Sequence, residues 1–215
     1  MYPYKFIVFD FDGTIADSRS LFIELYNELA LKNSYQLLNE ENLDELRCLS
    51  ITERCRLLGV PLYKIPFLAS VIIRRYKAAI PKLEFNEGMK ELLLSLTENR
   101  VKYAVLSSNS KTNIEQFFRQ HKVKCKRIYS SRSMFGKHLL INKFLRDKDV
   151  KPSEILYVGD ELRDVIACRK SGVDVAWVSW GYDNEKALEN NKPDYHIDSP
   201  AQILSLVLHK PVVAV

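Results

Sequence analysis

Apolar positions along this chain follow two rhythms. Short continuous runs rich in β-branched and aromatic residues occupy Lys5 to Phe9, Val101 to Leu106, Arg127 to Tyr129, Ile155 to Val158 and Val173 to Val178. Runs of that length read as strands buried on both faces. Between them apolar residues return every three or four positions: Met89, Leu92, Leu93 and Leu96; Ile114, Phe117 and Phe118; Leu140, Ile141, Phe144 and Leu145; Leu162, Val165 and Ile166. That spacing lines one side of a helix. Strands alternating with amphipathic helices predict an α/β fold, a doubly wound and mostly parallel sheet covered on both sides.

One stretch breaks the alternation. From Ser18 to Lys82 only helical faces occur: Leu21, Phe22, Leu25 and Leu29; Leu43 and Leu46; Leu57 and Leu58; Phe67, Leu68, Val71 and Ile72. Gly59-Val60-Pro61, Pro66 and Pro81 punctuate them, as helix ends in a small bundle would. The pattern predicts a helical domain over 18–82, inserted into an α/β core made of 1–17 and 83–215.

Composition narrows the function classes. At 215 residues, 47% hydrophobic and 27% charged, the chain is an ordinary globular protein with room for a core and a smaller insert. Its formal charge of +5 is spread out, and the clusters Lys122 to Arg127 and Arg74-Arg75-Tyr76-Lys77 carry no nucleic-acid reading motif. Solvated faces and a small anionic ligand are the expectation, with no nucleic acid. Cys48, Cys55, Cys125 and Cys168 lack paired or metal-ligand spacing and read as reduced, mostly buried thiols. No charged and apolar leader precedes the first strand, and no stretch approaches the ~18 apolar residues of a membrane span, so a cytoplasmic location is expected. Monomer and homodimer remain equally open.

Candidate chemistry gathers where strands end. Asp10 and Asp12, two apart after the first run, point the same way over the carboxyl edge of the sheet, where doubly wound folds bind ligands. Gly13 permits a tight turn whose N–H groups suit an anion. Gly159-Asp160-Glu161-Leu162-Arg163-Asp164 brings more carboxylates after another run, a set that suits a hard cation or, more plainly, a helix cap. Ser107-Ser108-Asn109 follows a third run with hydroxyls and free N–H groups suited to phosphate, or again to capping. Lys137, after Phe135-Gly136, opens a helix where a cation opposes the macrodipole, and a nearby anion would compensate it.

Asp10-Phe11-Asp12-Gly13-Thr14, a serine at the second strand, Lys137, and Gly159-Asp160 with Asp164 resemble, in order, the four motifs of the haloacid dehalogenase superfamily. The resemblance spans nearly the whole chain. It implies a Rossmann-like core carrying an α-helical C1 cap, as in the branch of phosphoglycolate phosphatase and β-phosphoglucomutase. It implies Asp10 as nucleophile forming an aspartyl-phosphate, and Asp12 as general acid and then base, with a raised pKa. It implies phosphate binding by Asp10, Gly13, Ser107, Ser108, Asn109 and Lys137. Ser107 competes with Ser108 for the second motif and is favoured by its place at the strand end. Mg²⁺ is the implied cofactor, held by Asp10, Asp12 through its backbone carbonyl, and Asp160, with Asp164 in support. In the cap, Leu46-Arg47-Cys48-Leu49-Ser50 resembles a segment that often reads Arg-Gly, which makes Arg47 a candidate substrate contact, with Cys48 in place of glycine. Arg54, Arg56, Lys64, Arg74 and Arg75 add positive charge there, suited to a second anionic group on a substrate such as phosphoglycolate or a sugar phosphate. The implied function is phosphate-monoester hydrolysis of a small metabolite. The alternatives are a phosphomutase of the β-phosphoglucomutase type and a catalytically silent protein that binds a phospho-ligand. Trp177, Trp180 and Tyr182 read as packing and loop anchors, and His121, His138, His196 and His209 carry no assigned role.

Overall fold

A computed structural model describes residues 4–49, 51–131 and 136–208; Ser50, Phe135 and His209 of the sequence reading lie outside them. The expected strands form with ends shifted by one or two residues: β1 (Phe6–Phe9), β2 (Tyr103–Ser107), β3 (Ile128–Ser130), β4 (Ile155–Gly159) and β5 (Asp174–Val178). A sixth, β6 (Tyr195–Ile197), was not legible: three residues with an exposed His196 in the middle make no apolar run. All pairings are parallel, and the spatial order is β3-β2-β1-β4-β5-β6. This is the doubly wound order that the alternation predicted.

Side-chain alternation along β1 splits the core in two. Ile7 and Phe9 face helices α5 (Met89–Glu98), α6 (Lys111–Gln120) and α9 (Pro200–Leu208), with Met89, Leu93, Ile114, Phe117 and Ile203 beneath them. Phe6 and Val8 face α7 (Lys137–Lys148) and α8 (Leu162–Ser171), against Ile141, Phe144, Val165 and Cys168. A central strand buried on both faces has every residue committed, so its register is fixed and its end lies at a defined depth.

Residues 18–82 contain helices α1 (Ser18–Asn33), α2 (Glu40–Arg47), α3 (Ile51–Leu57) and α4 (Ile65–Ala79), with no strand among the described residues. Asp17 caps α1 through its side chain, Asn39 and Asn42 cap α2 reciprocally, and α4 carries proline in its first turn. These helices share a small core of their own, built on Tyr26, Ala30, Leu46, Leu58 and Leu68. The expected faces need one correction: Leu57 and Phe67 are exposed while Leu58 and Leu68 are buried. Adjacent helical residues stand about 100° apart, so one member of each pair turns away from a narrow core. The cysteines are free, but Cys168 alone is buried; the other three are half-buried. No helix among the described residues is long and apolar enough to cross a membrane.

Candidate active site

Strand order reverses between β1 and β4, which opens a crevice at their carboxyl ends. Asp10 follows β1 there and Asp160 follows β4, both buried. The Asp10 carboxylate accepts from the Phe11 N–H at 2.7 Å and from Lys137 Nζ at 2.6 Å. Lys137, on the first turn of α7, also pairs closely with Asp164 Oδ1. Asp164 Oδ2 takes the Glu161 N–H at 3.3 Å, so this residue caps α8 and faces the crevice at once. Asp160 is held by Thr14 Oγ1 at 2.7 Å and by the Tyr182 N–H at 2.8 Å.

Carboxylate oxygens of Asp10, Asp160 and Asp164 all lie within 4.8 Å of one another. Burial, and then the neighbouring carboxylates Glu161, Asp164 and Asp10, push Asp160 well above the ordinary carboxylate range. Burial likewise raises Asp164, against the pull of Lys137. For Lys137 itself burial alone favours the neutral amine, but Asp10 and Asp164 overcome it and hold the ammonium above its usual value. Arg163 pairs with Glu161, and Lys137 is the cation paired with Asp10 and Asp164 within this cluster. A donor set of hard oxygens with surplus negative charge fits a divalent cation of the Mg²⁺ kind. The side chain of Asp12 lies outside this cluster.

Asp12 is instead gripped from two sides. Asn109 Nδ2 donates to its oxygens at 3.2 and 3.0 Å, and Tyr76 donates its hydroxyl hydrogen to Oδ1. Burial raises the Asp12 carboxyl above the ordinary range, with the Tyr76 bond opposing and the Asp10 charge adding. That is the direction expected of a residue that must carry a proton.

Several expectations change on the structure. Gly13 donates its N–H to Ala16 O and Ser18 Oγ, so it shapes the turn instead of cradling an anion. Asn109 donates its N–H to Ser107 Oγ at 3.0 Å and spends its side chain on Asp12. Ser107, at the end of β2, is buried, whereas Ser108 is half-buried in the turn. The Arg47 guanidinium bonds the carbonyls of Ser179, Gly181, Tyr182 and Asp183. Its Nε and Nη2 donors are taken up by that bend of backbone, and Nη1 lies 3.6 Å from Asp44 Oδ1. Arg54 pairs with Asp183, Arg75 with Glu28, and Lys64 lies over the Tyr35 ring. Much of the basic charge in 18–82 therefore has partners within the protein.

Residues the motifs did not flag complete the frame. Ser18 Oγ contacts Tyr182 OH, and Asn86 Nδ2 donates to the carbonyls of Gly13 and Thr14. Trp180 also donates to Thr14 O, which agrees with its reading as a loop anchor. Asp160 lies between two glycines: a methyl on Gly13 or on Gly181 would overlap its side chain, and Gly13 also has φ +77°. Such contacts join sequence positions far apart, and periodicity gives no sign of them.

A family model described as haloacid dehalogenase-like hydrolase matches residues 7–178. The chain is 28% identical over 203 residues to a phosphoglycolate phosphatase of Synechococcus elongatus, covering 94% of this chain and 96% of that one. A 67-residue stretch is 34% identical to the pyrophosphatase PpaX of Bacillus anthracis, 31% of each chain. A haloacid dehalogenase-like family hydrolase from Streptococcus pneumoniae superposes with a TM-score of 0.77 at 19% identity, over 95% of this chain and 98% of that one, which speaks to the fold.

Proposed function

The chain belongs to the haloacid dehalogenase-like hydrolase family, and on that footing we propose that it is a Mg²⁺-dependent phosphatase for a small phosphorylated metabolite of the phosphoglycolate type. It is a phosphoglycolate phosphatase-like hydrolase; the metal, the substrate and the roles of single residues are the reading offered here. The observation that carries it is Lys137 joining Asp10 to Asp164 beside Asp160, a buried mixed-charge cluster at the switch point of the sheet.

In this reading Asp10 attacks phosphorus, the bond to the leaving oxygen breaks, and Asp12 hands its proton to that oxygen. Asp12 then takes a proton from the water that cleaves the aspartyl-phosphate. Lys137 offsets charge on Asp10 and on the phosphoryl oxygens, and Ser107 binds one of those oxygens. Asp10, Asp160 and the Asp12 carbonyl, with Asp164 behind, would hold Mg²⁺, which would supply further positive charge to the phosphoryl group. Residues 18–82 act as the cap that selects the leaving group, over a core made of 1–17 and 83–215.

A screen of phosphorylated metabolites with Mg²⁺ and with EDTA tests the reading. Release of phosphate in Mg²⁺ alone, lost in Asp10→Asn, is expected. Ordinary turnover by Asp10→Asn would end the covalent mechanism.

A further inference from the structure

We infer that Tyr76, from the helical segment, is a positioning residue that aims the Asp12 carboxyl at the departing oxygen of the substrate. The inference rests on Asp12 being the general acid of the reading above. A carboxyl group turns easily about its last torsion, so an acid that must deliver a proton in one direction needs partners that fix the rotation. Asn109 is one such partner. Its amide is itself oriented, because its Oδ1 accepts from the Ser110 N–H at 2.8 Å and from Asn113 Nδ2 at 2.9 Å. Its nitrogen therefore faces Asp12 and can only donate, and it spans both carboxyl oxygens at 3.2 and 3.0 Å.

Tyr76 differs in two ways. It meets Oδ1 alone, at 2.5 Å, and a hydroxyl can donate or accept. Tyr76 donates to Oδ1 when Asp12 is ionised and equally when Asp12 carries its proton on Oδ2, the oxygen that Tyr76 does not meet. The bond thus survives both halves of the reaction, and it breaks the equivalence of the two carboxyl oxygens that Asn109 leaves in place. The Tyr76 ring packs against the main core cluster, and a phenylalanine there would keep that contact while removing the hydroxyl.

Positioning of an acid matters in proportion to how much the leaving oxygen needs a proton. The test compares kcat/KM, which reports departure of the leaving group, for the best alkyl phosphate from the screen and for p-nitrophenyl phosphate, whose leaving group departs unaided. Tyr76→Phe is expected to lower the first on the order of tenfold and the second by less than about threefold. In an Asp12→Asn background the same substitution is expected to do nothing further to the alkyl phosphate, since the group it serves is gone. Equal losses on both substrates, no loss on either, or additive losses in the double variant would overturn the inference while leaving the phosphatase reading intact. Absence of turnover by the unmodified protein on every phosphoester would remove that reading and this inference together. Thermal melts of each variant separate a folding defect from a kinetic one, and Asn109→Ala, which removes the second grip on Asp12, should show the same substrate bias.

Discussion

The edge of the sheet and the helical segment are built to different tolerances. Every residue of β1, β2 and β4 is buried, and the carboxylates that follow β1 and β4 are held by a backbone N–H, a hydroxyl or a lysine. Residues 18–82 enclose a small core, and they carry seven of the nine exposed large apolar side chains among the described residues. Their polar ties to the sheet edge include those of Ser18, Arg19, Arg47, Arg54 and Tyr76. In the function proposed above, the chemistry common to every phosphoester would fall on the more constrained part and the choice among phosphoesters on the part with fewer constraints.

If that contrast is right, the largest effect on stability comes from the sheet edge. Lys137→Met leaves Asp10 and Asp164 buried without their cation and should cost about 3–5 kcal/mol in metal-free protein, read by denaturant unfolding. A cost under about 1 kcal/mol would place the cluster among ordinary surface pairs.

The second prediction concerns pH. Asp160, Asp164 and Asp12 have carboxyls raised by burial, so in EDTA the folded state keeps protons that the unfolded chain releases. Stability is then fully present below the unfolded value of about 4 and falls as pH rises through the folded values. Tm measured across pH 4 to 8 should decline in EDTA, and Mg²⁺ should flatten the decline. A Tm that rises over this range in EDTA would contradict the assigned directions.

The smallest expected effect lies in the helical segment. Arg47→Met removes the fork that bonds the carbonyls of 179–183 and should cost roughly 1–3 kcal/mol, with faster hydrogen exchange in 18–82 than in β1 or β4. A loss as large as that of Lys137→Met, with exchange raised in the strands too, would mean that the two regions unfold as one and that the contrast is false.

The same contrast explains what could be read before the structure. Asp10, Asp160 and Lys137 were legible because each follows or opens an element whose apolar pattern marks its own ends, so local sequence places them at one edge. The parallel sheet was legible for the same reason, and β6 escaped because three residues carry no rhythm. The carbonyl partners of Arg47 were not legible, because they lie more than 130 residues away in the sequence. Tyr76 was quoted within a basic cluster and given no role; its meeting with Asp12 depends on how α4 docks, which no spacing along α4 encodes. Asn109 was placed correctly in the turn after β2, and only its partner was missed.

The two glycines that flank Asp160 bear on how such a gene decays. A single base change that turns Gly13 or Gly181 into alanine leaves every carboxylate, the serine and the lysine in the reading frame, yet puts a methyl where the Asp160 side chain now lies. Relatives descended from such a change would keep every aspartate, the serine and the lysine of the motifs while the Asp160 side chain is displaced, so a survey of lineages for silenced copies should inspect positions 13 and 181 before it counts aspartates.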